Sequence, residues 1–151
     1  MGHVTAEFTV PAPAADTFAA LREFAAYPDL VDTIDSVAWV ERDQAADGAG
    51  RAVSDWQVRF RQGPLRWQED DVFDPATGTI AFTARDGDFD AFSGGWRLEP
   101  ADAGCTARFE ATFDFGIASL AGMLDPLASR VLAGSMTDIL TALVPGTLRT
   151  A

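Results

Sequence analysis

Two carboxylic acids, Glu69 and Asp71, stand two residues apart in a segment whose other odd-numbered positions are largely apolar. Residues of one parity in a β-strand point to one face of the sheet. Because Leu65, Trp67 and Phe73 share this parity, the pattern predicts that both carboxyl groups point toward the protein interior. Burial and mutual repulsion raise the pKa of at least one member of such a pair. The pair could then serve as the acid and base that enolisation, aldol closure and dehydration require.

The same segment has a second interpretation. Val72 has the opposite parity to Trp67, as expected if a bulge or a change of frame lies near the end of the strand. Glu69, Asp70 and Asp71 would then be solvated. Burial of two carboxylates is costly, and this cost favours the solvated arrangement while the register of the strand is undetermined.

Hydrophobic periodicity predicts the elements that hold this strand. Alternating apolar residues predict a first strand at 4–10, and apolar positions at helical spacing predict two short helices, at 16–24 and 28–34. Alternation between turn signals then predicts six further strands, which begin near Val37 and Trp39 and continue at 54–60, 65–73, 79–85, 92–98 and 107–115, with Gly63-Pro64 as one of the turns. The prediction is an α+β fold with a seven-stranded antiparallel sheet.

The end of the chain predicts a long helix. An apolar stripe runs from Leu127 to Val144 and stops at Pro145-Gly146. Asp125-Pro126 has the composition of a helix start, so the spacing predicts a break or kink there after an earlier helical segment that begins at Ile117. No repeat or linker divides residues 1–151, which we interpret as one domain.

Aromatic residues dominate the predicted inner face of the sheet. If the sheet encloses a cavity, these side chains form its wall and bind an apolar ligand. Aromatic rows are also ordinary core, and both interpretations stay open. The candidate ligand-binding residues are Tyr27, Trp56, Trp67, Phe82, Phe92, Trp96 and Phe109.

Charge and composition narrow the classes of partner. With 23 acidic and 11 basic residues the net charge is −12, which disfavours nucleic acid and anionic membranes. The only cysteine, Cys105, and the only histidine, His3, are far apart, so we predict neither a metal site nor a cofactor. No apolar run approaches the ~20 residues of a membrane span, and the first residues lack the pattern of an export signal. We therefore expect a cytoplasmic protein.

Three arginines, Arg59, Arg61 and Arg66, cluster around one predicted turn. One interpretation is a basic patch that docks an acidic acyl carrier protein, which would present the substrate. The other is a solvated outer face whose arginines pair with nearby acids. The candidate acids are Asp55, Glu69 and Asp70.

Several short motifs, in their order along the chain, resemble one known superfamily. They are residues 10–14 ahead of Phe18, residues 24–30, Leu65-Arg66-Trp67, Phe73-Asp74-Pro75, Gly94-Gly95-Trp96 and Phe113-Asp114-Phe115. Together with the order of elements, they resemble the helix-grip fold of the START and birch-pollen-allergen superfamily. Within it, the chain is most similar to the branch of bacterial polyketide aromatase/cyclases and coenzyme-Q-binding proteins.

The resemblance implies a deep cavity between the concave sheet and the last helix, which in relatives holds polyketide intermediates, quinones, sterols or other lipids. It implies a small hydrophobic ligand and two possible functions. The first is a cofactor-independent cyclase or dehydratase of secondary metabolism, such as antibiotic biosynthesis. The second is a carrier that performs no chemistry. A homodimer is a further expectation.

The chain departs from its relatives at one position of the candidate site. The aromatase/cyclases place an arginine about where Asp71 stands, and that arginine is thought to hold the enolate oxygens of the substrate. Asp71 cannot supply a positive charge, and the nearby Arg66 has outward parity. The function is therefore either a different chemistry, with Glu69 and Asp71 as the catalytic acid and base, or binding alone.

Overall fold

The computed structural model describes residues 2–60, 63–115 and 118–151, and for residues 118–125 it describes only the backbone. The first strand, β1, is Gly2–Val10. It leads into α1 (Ala14–Leu21), a 3-10 turn (Phe24–Ala26) and the one-turn helix α2 (Tyr27–Leu30). Strands β2 to β7 follow: Ile34–Gln44, Gly50–Phe60, Gly63–Asp74, Thr79–Gly87, Ala91–Ala101 and Gly104–Asp114. The chain ends with the helix α3 (Ala118–Leu143) and the short strand β8 (Leu148–Arg149).

The strands form one antiparallel sheet in the order β2-β3-β4-β5-β6-β7-β1-β8. Alternation sets its two faces. Along β7, for example, Cys105, Ala107, Phe109, Ala111 and Phe113 are buried while the residues between them are exposed or partly buried. The buried face of the sheet and the apolar side of α3 form one hydrophobic core. The sheet thus wraps the terminal helix, as the sequence predicts.

The helix α3 crosses the concave face and packs against β1 and the two short helices. Within the predicted stripe region, the buried residues of α3 include Leu132, Met136, Ile139 and Leu140. In this placement, β3, β4, β5 and β6 face the middle of the helix. Inward side chains of these strands and side chains of α3 together surround the candidate site.

The structure corrects four details of the sequence interpretation. The sheet has an eighth strand, β8, because two residues after α3 pair with β1. The second short helix ends at Leu30, since Ile34 pairs with Val58 and begins β2. Gly63 and Pro64 are paired residues of β4, not a turn.

The fourth correction concerns Pro126, which lies inside α3 and does not start a new helix. A proline in a helix interior removes one backbone hydrogen bond and crowds the preceding turn. The helix nevertheless continues through Pro126 from Ala118 to Leu143. The predicted start at Ile117 lies outside the described residues.

Candidate functional site

A small internal cavity lies between the concave face of the sheet and α3. All the predicted ligand-binding residues contribute to its wall, as does Glu69. The sequence interpretation omitted the other lining residues, which are Phe24, Ile34, Val58, Ile80, Leu132, Ser135 and Met136.

Part of this omission could have been avoided. Val58 has the parity of Trp56, and Ile80 has the parity of Phe82, so alternation alone places both on the inner face. Ser135 could also have been placed by helical spacing. It lies four residues from Val131 and four from Ile139, both of which belong to the predicted apolar stripe.

The free volume of the cavity is about 40 Å³. One water needs about 10–15 Å³ of such volume, so the cavity in this conformation has room for only a few waters. The deep cavity that the resemblance implies is therefore not present in this conformation, because aromatic side chains fill most of the space. A polycyclic ligand could enter only if aromatic side chains of the wall or part of α3 moved.

Glu69 and Asp71 are both inside the protein, with 3% and 1% of their surface exposed. Regular pairing places Glu69 opposite Ser54 and Asp71 opposite Ala52 on β3, with no bulge between these pairs. The inward register is therefore correct, and the solvated arrangement is wrong. Val72, whose parity suggested a change of frame, lies on the outer face and is partly exposed.

Hydrogen bonds from β3 and β4 hold the two carboxyl groups. The Trp67 Nε1–H donates to Glu69 Oε1 at 2.7 Å. The Ser54 hydroxyl donates to Asp71 Oδ2 at 2.6 Å and accepts a bond from Trp56 Nε1–H at 2.9 Å. Among the ion pairs of the described residues, none includes Glu69 or Asp71. The pair is thus held by neutral donors alone.

The pKa values of both carboxyl groups are raised. Burial raises the pKa of Glu69 well above its usual range, and the hydrogen bond and negative charge of Asp71 raise it further. Burial also raises the pKa of Asp71, while its hydrogen bonds to Glu69 and Ser54 oppose that rise. Asp71 Oδ1 is buried and has no hydrogen-bond partner among the described residues. Because Asp71 reinforces the rise at Glu69, whereas hydrogen bonds oppose it at Asp71, Glu69 is the member of the pair that holds a proton more readily.

The two acids have different access to the cavity. Glu69 is part of the cavity wall, whereas Asp71 lies behind it and does not contribute to the described wall. Only Glu69 can touch a ligand directly. Asp71 can act through Glu69, by accepting its proton or by stabilising its neutral form.

Tyr27 lines the cavity beside this pair, but its hydroxyl is already engaged. It donates to the Leu21 carbonyl oxygen. Burial, followed by the charges of Glu69 and Asp71, raises the pKa of Tyr27. Tyr27 therefore stays neutral and offers its ring to a ligand rather than an ionised oxygen.

The arginines near the β3–β4 turn are partly paired. Arg59 forms an ion pair with Asp35 on β2 at 3.1 Å, and Arg66 donates to the Gln57 side chain at 2.9 Å. Arg61 lies outside the described residues. Two of the acids expected as partners do not pair with Arg59 or Arg66. Glu69 is buried, and Asp70 forms an ion pair with Arg85 at 3.5 Å.

Within residues 2–60, 63–115 and 118–151, no group of histidine, cysteine or acidic side chains is arranged to hold a metal ion. In the same part of the chain, every helix is too short or too polar to cross a bilayer.

Comparison with known proteins agrees with this geometry. Residues 10–139 match the family model described as polyketide cyclase / dehydrase and lipid transport. The chain belongs to this family. It is therefore a member of the START and birch-pollen-allergen superfamily with the helix-grip fold, as the motifs indicated. None of the curated proteins matches it.

Solved structures show the same fold at low sequence identity. Protein TTHA0849 from Thermus thermophilus is 23% identical, with a TM-score of 0.80 over 93% of both chains. The Zhui aromatase/cyclase from Streptomyces sp. R1128 is 22% identical, with a TM-score of 0.73 over 93% of this chain and 90% of that one. A START superfamily protein from Mycobacterium smegmatis is 17% identical, with a TM-score of 0.75 over 94% of both chains. The family and its fold are those of proteins that bind hydrophobic ligands.

Proposed function

We propose that this polyketide cyclase / dehydrase family member binds a hydrophobic polyketide-type molecule in the cavity and promotes its cyclisation or dehydration. The observation that carries the proposal is the position of Glu69, a buried carboxyl group in the aromatic wall. Glu69 accepts a hydrogen bond from Trp67, and burial and the charge of Asp71 raise its pKa. A proton donor in a dry apolar cavity suits a ligand that has a carbonyl or hydroxyl group.

The proposed chemistry is the loss of water from a β-hydroxy ketone. Glu69 gives its proton to the leaving hydroxyl group, which departs as water. The α-proton of the ketone moves to the Glu69 carboxylate, and the new carbon–carbon double bond forms. The pair ends with the same single proton it started with. Asp71 does not contact the ligand. Its charge sets the pKa of Glu69 and so controls how readily Glu69 releases its proton.

The test uses an aryl β-hydroxy ketone such as 4-hydroxy-4-(2-naphthyl)butan-2-one, whose conjugated product absorbs at longer wavelength. The protein is expected to accelerate its dehydration. Glu69→Gln should lower the rate by about 10²-fold to 10⁴-fold, the range for loss of a general acid. Asp71→Asn should lower it less, because Asp71 acts through Glu69. Asp70→Asn is the matched control, since Asp70 is its exposed neighbour and should leave the rate unchanged.

The acid–base assignment is wrong if Glu69→Gln and Asp71→Asn both leave product formation unchanged. Folding of each variant should be checked by its circular dichroism spectrum, so that a lost rate is not mistaken for a lost fold. The glutamine and asparagine side chains have nearly the original shapes. Glu69→Gln removes the proton that Glu69 would donate, and Asp71→Asn removes the carboxylate that raises the pKa of Glu69.

Binding without chemistry is the second candidate function. It is favoured by Asp71, which stands where the aromatase/cyclases are expected to have an arginine, and by the absence of any cation from the described cavity wall. Mass spectrometry of a molecule that copurifies with the protein distinguishes the two candidates. A carrier should release that molecule unchanged after incubation, whereas an enzyme should convert it.

The partners and location inferred from the sequence stay predictions. Presentation of the ligand by an acyl carrier protein would use the outer face around Arg59 and Arg66, whose side chains would have to leave Asp35 and Gln57. A double Arg59→Ala, Arg66→Ala variant should then lose turnover of a carrier-bound substrate but not of the free one. A homodimer and a cytoplasmic location are the other expectations, and ultracentrifugation and cell fractionation test them.

A further inference from the structure

Most polar atoms in the cavity wall already have partners within the protein. The Tyr27 hydroxyl bonds to the backbone of Leu21, the Trp56 indole bonds to Ser54, and the Trp67 indole bonds to Glu69. A ligand cannot use these donors without breaking a buried hydrogen bond, which is costly. The polar recognition of a ligand must therefore come from the groups that retain capacity.

Ser135 is one such group on the helix side of the cavity. It belongs to α3 and is 3% exposed, and its hydroxyl lies 2.7 Å from the Thr33 hydroxyl, with either atom able to donate. A hydroxyl group has one donor and two acceptor sites. If Thr33 donates, the Ser135 proton is free to reach a ligand oxygen.

The charge around the cavity restricts the ligand in a different way. Glu69 and Asp71 are buried together, and the described wall contains no arginine or histidine. A carboxylate ligand would have to leave water and lie near two carboxyl groups without a counter-ion, which is strongly unfavourable. A neutral ligand avoids this cost.

From these observations, we infer that Ser135 is a ligand-contact residue and that the site selects neutral, oxygen-bearing aromatic molecules over both carboxylic acids and hydrocarbons. The inference rests on the binding half of the proposed function and adds to it the chemical class of the ligand. It does not depend on whether Glu69 catalyses a reaction.

Three probes of nearly equal size test the inference by isothermal titration calorimetry at pH 7.5. They are 2-acetylnaphthalene, which has one neutral acceptor oxygen; 2-naphthoate, which is an anion; and 2-isopropylnaphthalene, which is a hydrocarbon. We expect 2-acetylnaphthalene to bind at least tenfold more tightly than 2-naphthoate. Ser135→Ala should weaken 2-acetylnaphthalene about threefold to tenfold, the value of one hydrogen bond, and leave the hydrocarbon unchanged.

Thr33→Val is the matched control for the hydrogen bond between α3 and Thr33. It removes the same bond as Ser135→Ala but leaves the Ser135 hydroxyl in the cavity. If the serine contacts the ligand, Thr33→Val should retain the affinity for 2-acetylnaphthalene. If both variants weaken it equally, Ser135 acts only as a structural tether, and the inference is overturned.

The remaining outcomes are also decisive. Equal binding of the ketone and the naphthoate would overturn the selection against acids while leaving cavity binding intact. A Ser135→Ala variant that binds the ketone as the unaltered protein does would overturn the role of the serine. Failure of all three probes to bind would instead contradict the proposed function itself.

Discussion

Trp56 and Trp67 lie opposite each other on β3 and β4, with their rings nearly parallel at 7° and their centroids 5.7 Å apart. Their N–H groups reach different carboxyl groups: Trp67 bonds directly to Glu69, and Trp56 bonds to Ser54, which bonds to Asp71. One stacked pair therefore forms part of the apolar wall and also holds both acids in place. The aromatic and acidic features of the site are parts of one arrangement.

Replacement of Trp67 by Phe should separate these two roles. Trp67→Phe keeps an aromatic ring but removes the N–H that stabilises the ionised form of Glu69. The pKa of Glu69 should rise further, and the free energy of unfolding should fall by about 1–3 kcal/mol. A ¹³C NMR titration of the Glu69 carboxyl carbon measures the pKa. Trp39→Phe is the control, because Trp39 packs against Phe24 outside the carboxyl network and should not shift that titration. An unchanged pKa in Trp67→Phe would contradict the role of this bond.

The stability of the protein should fall as pH rises above the range of ordinary carboxyl groups. Burial raises the pKa of Glu69 and Asp71 in the folded state, so the folded state holds protons that the unfolded chain releases at about pH 4. The stability contributed by these protons is present below that pH and is lost as pH rises through the folded pKa values. When the pKa of a group differs by one between the folded and unfolded states, the contribution is about 1.4 kcal/mol.

Thermal unfolding followed from pH 4 to pH 9 measures this loss. A double Glu69→Gln, Asp71→Asn variant should lack it, whereas Asp70→Asn should retain it because Asp70 lies on the outer face. Tyr27 also faces the pair, and its raised pKa places its ionisation above this window. The negative charge of Asp70 raises the pKa values of both carboxyl groups, but it is the smallest of the causes, so Asp70→Asn should change the slope only slightly. A slope that persists in the double variant would show that other groups cause the pH dependence.

Removal of the Phe89 ring should enlarge the cavity. Phe89 is a buried residue of the loop between β5 and β6, and its ring contacts those of Trp67 and Phe92, which line the cavity, and that of Phe115. Phe89→Ala should lower the free energy of unfolding by about 3–5 kcal/mol. It should also strengthen the binding of naphthalene probes, since less side-chain movement is needed to admit them. Phe18→Ala, a change in the core away from the cavity wall, should destabilise without strengthening binding. Weaker binding in Phe89→Ala would argue that the ring is itself a ligand contact.

Replacement of Pro126 by Ala should stabilise the protein. Pro126 is exposed inside α3 and cannot donate the backbone hydrogen bond of its turn. Alanine restores the N–H and has the highest helix propensity, so a gain of about 1–3 kcal/mol is expected. Thermal unfolding monitored by circular dichroism measures it. Ala128→Gly, two residues along the same helix, should have the opposite effect. A loss of stability in Pro126→Ala would indicate that the proline shapes a bend that packing requires.

Alternation made the sheet predictable, and the same rule placed Glu69 and Asp71 correctly once their strand was known to be regular. The sequence could not settle that register, because Val72 and three adjacent acids are equally compatible with a frame change. What decides it is pairing with β3, a contact between distant parts of the chain. Local chemistry identified the acids, and long-range pairing fixed where they point.

The helices were less predictable for a related reason. Pro126 is a strong local signal for a helix start, yet α3 continues through it. Ser135 shares a helix face with Val131 and Ile139 of the predicted stripe, but its polar side chain gave no hydrophobic signal, so it was left out of the predicted wall. The hydrogen-bond chain from Trp56 through Ser54 to Asp71 likewise depends on strand register, which no single segment specifies.

The pairing of β1 with β7 has a consequence for biosynthesis. Gly2 pairs with Phe113 and Val10 pairs with Cys105, so β1 leaves the ribosome long before its partner β7 is made. Contacts between such distant residues are entropically expensive and form late. During translation the emerging chain must therefore hold an unpaired, apolar β1, and chaperone engagement should end only when β7 has left the exit tunnel.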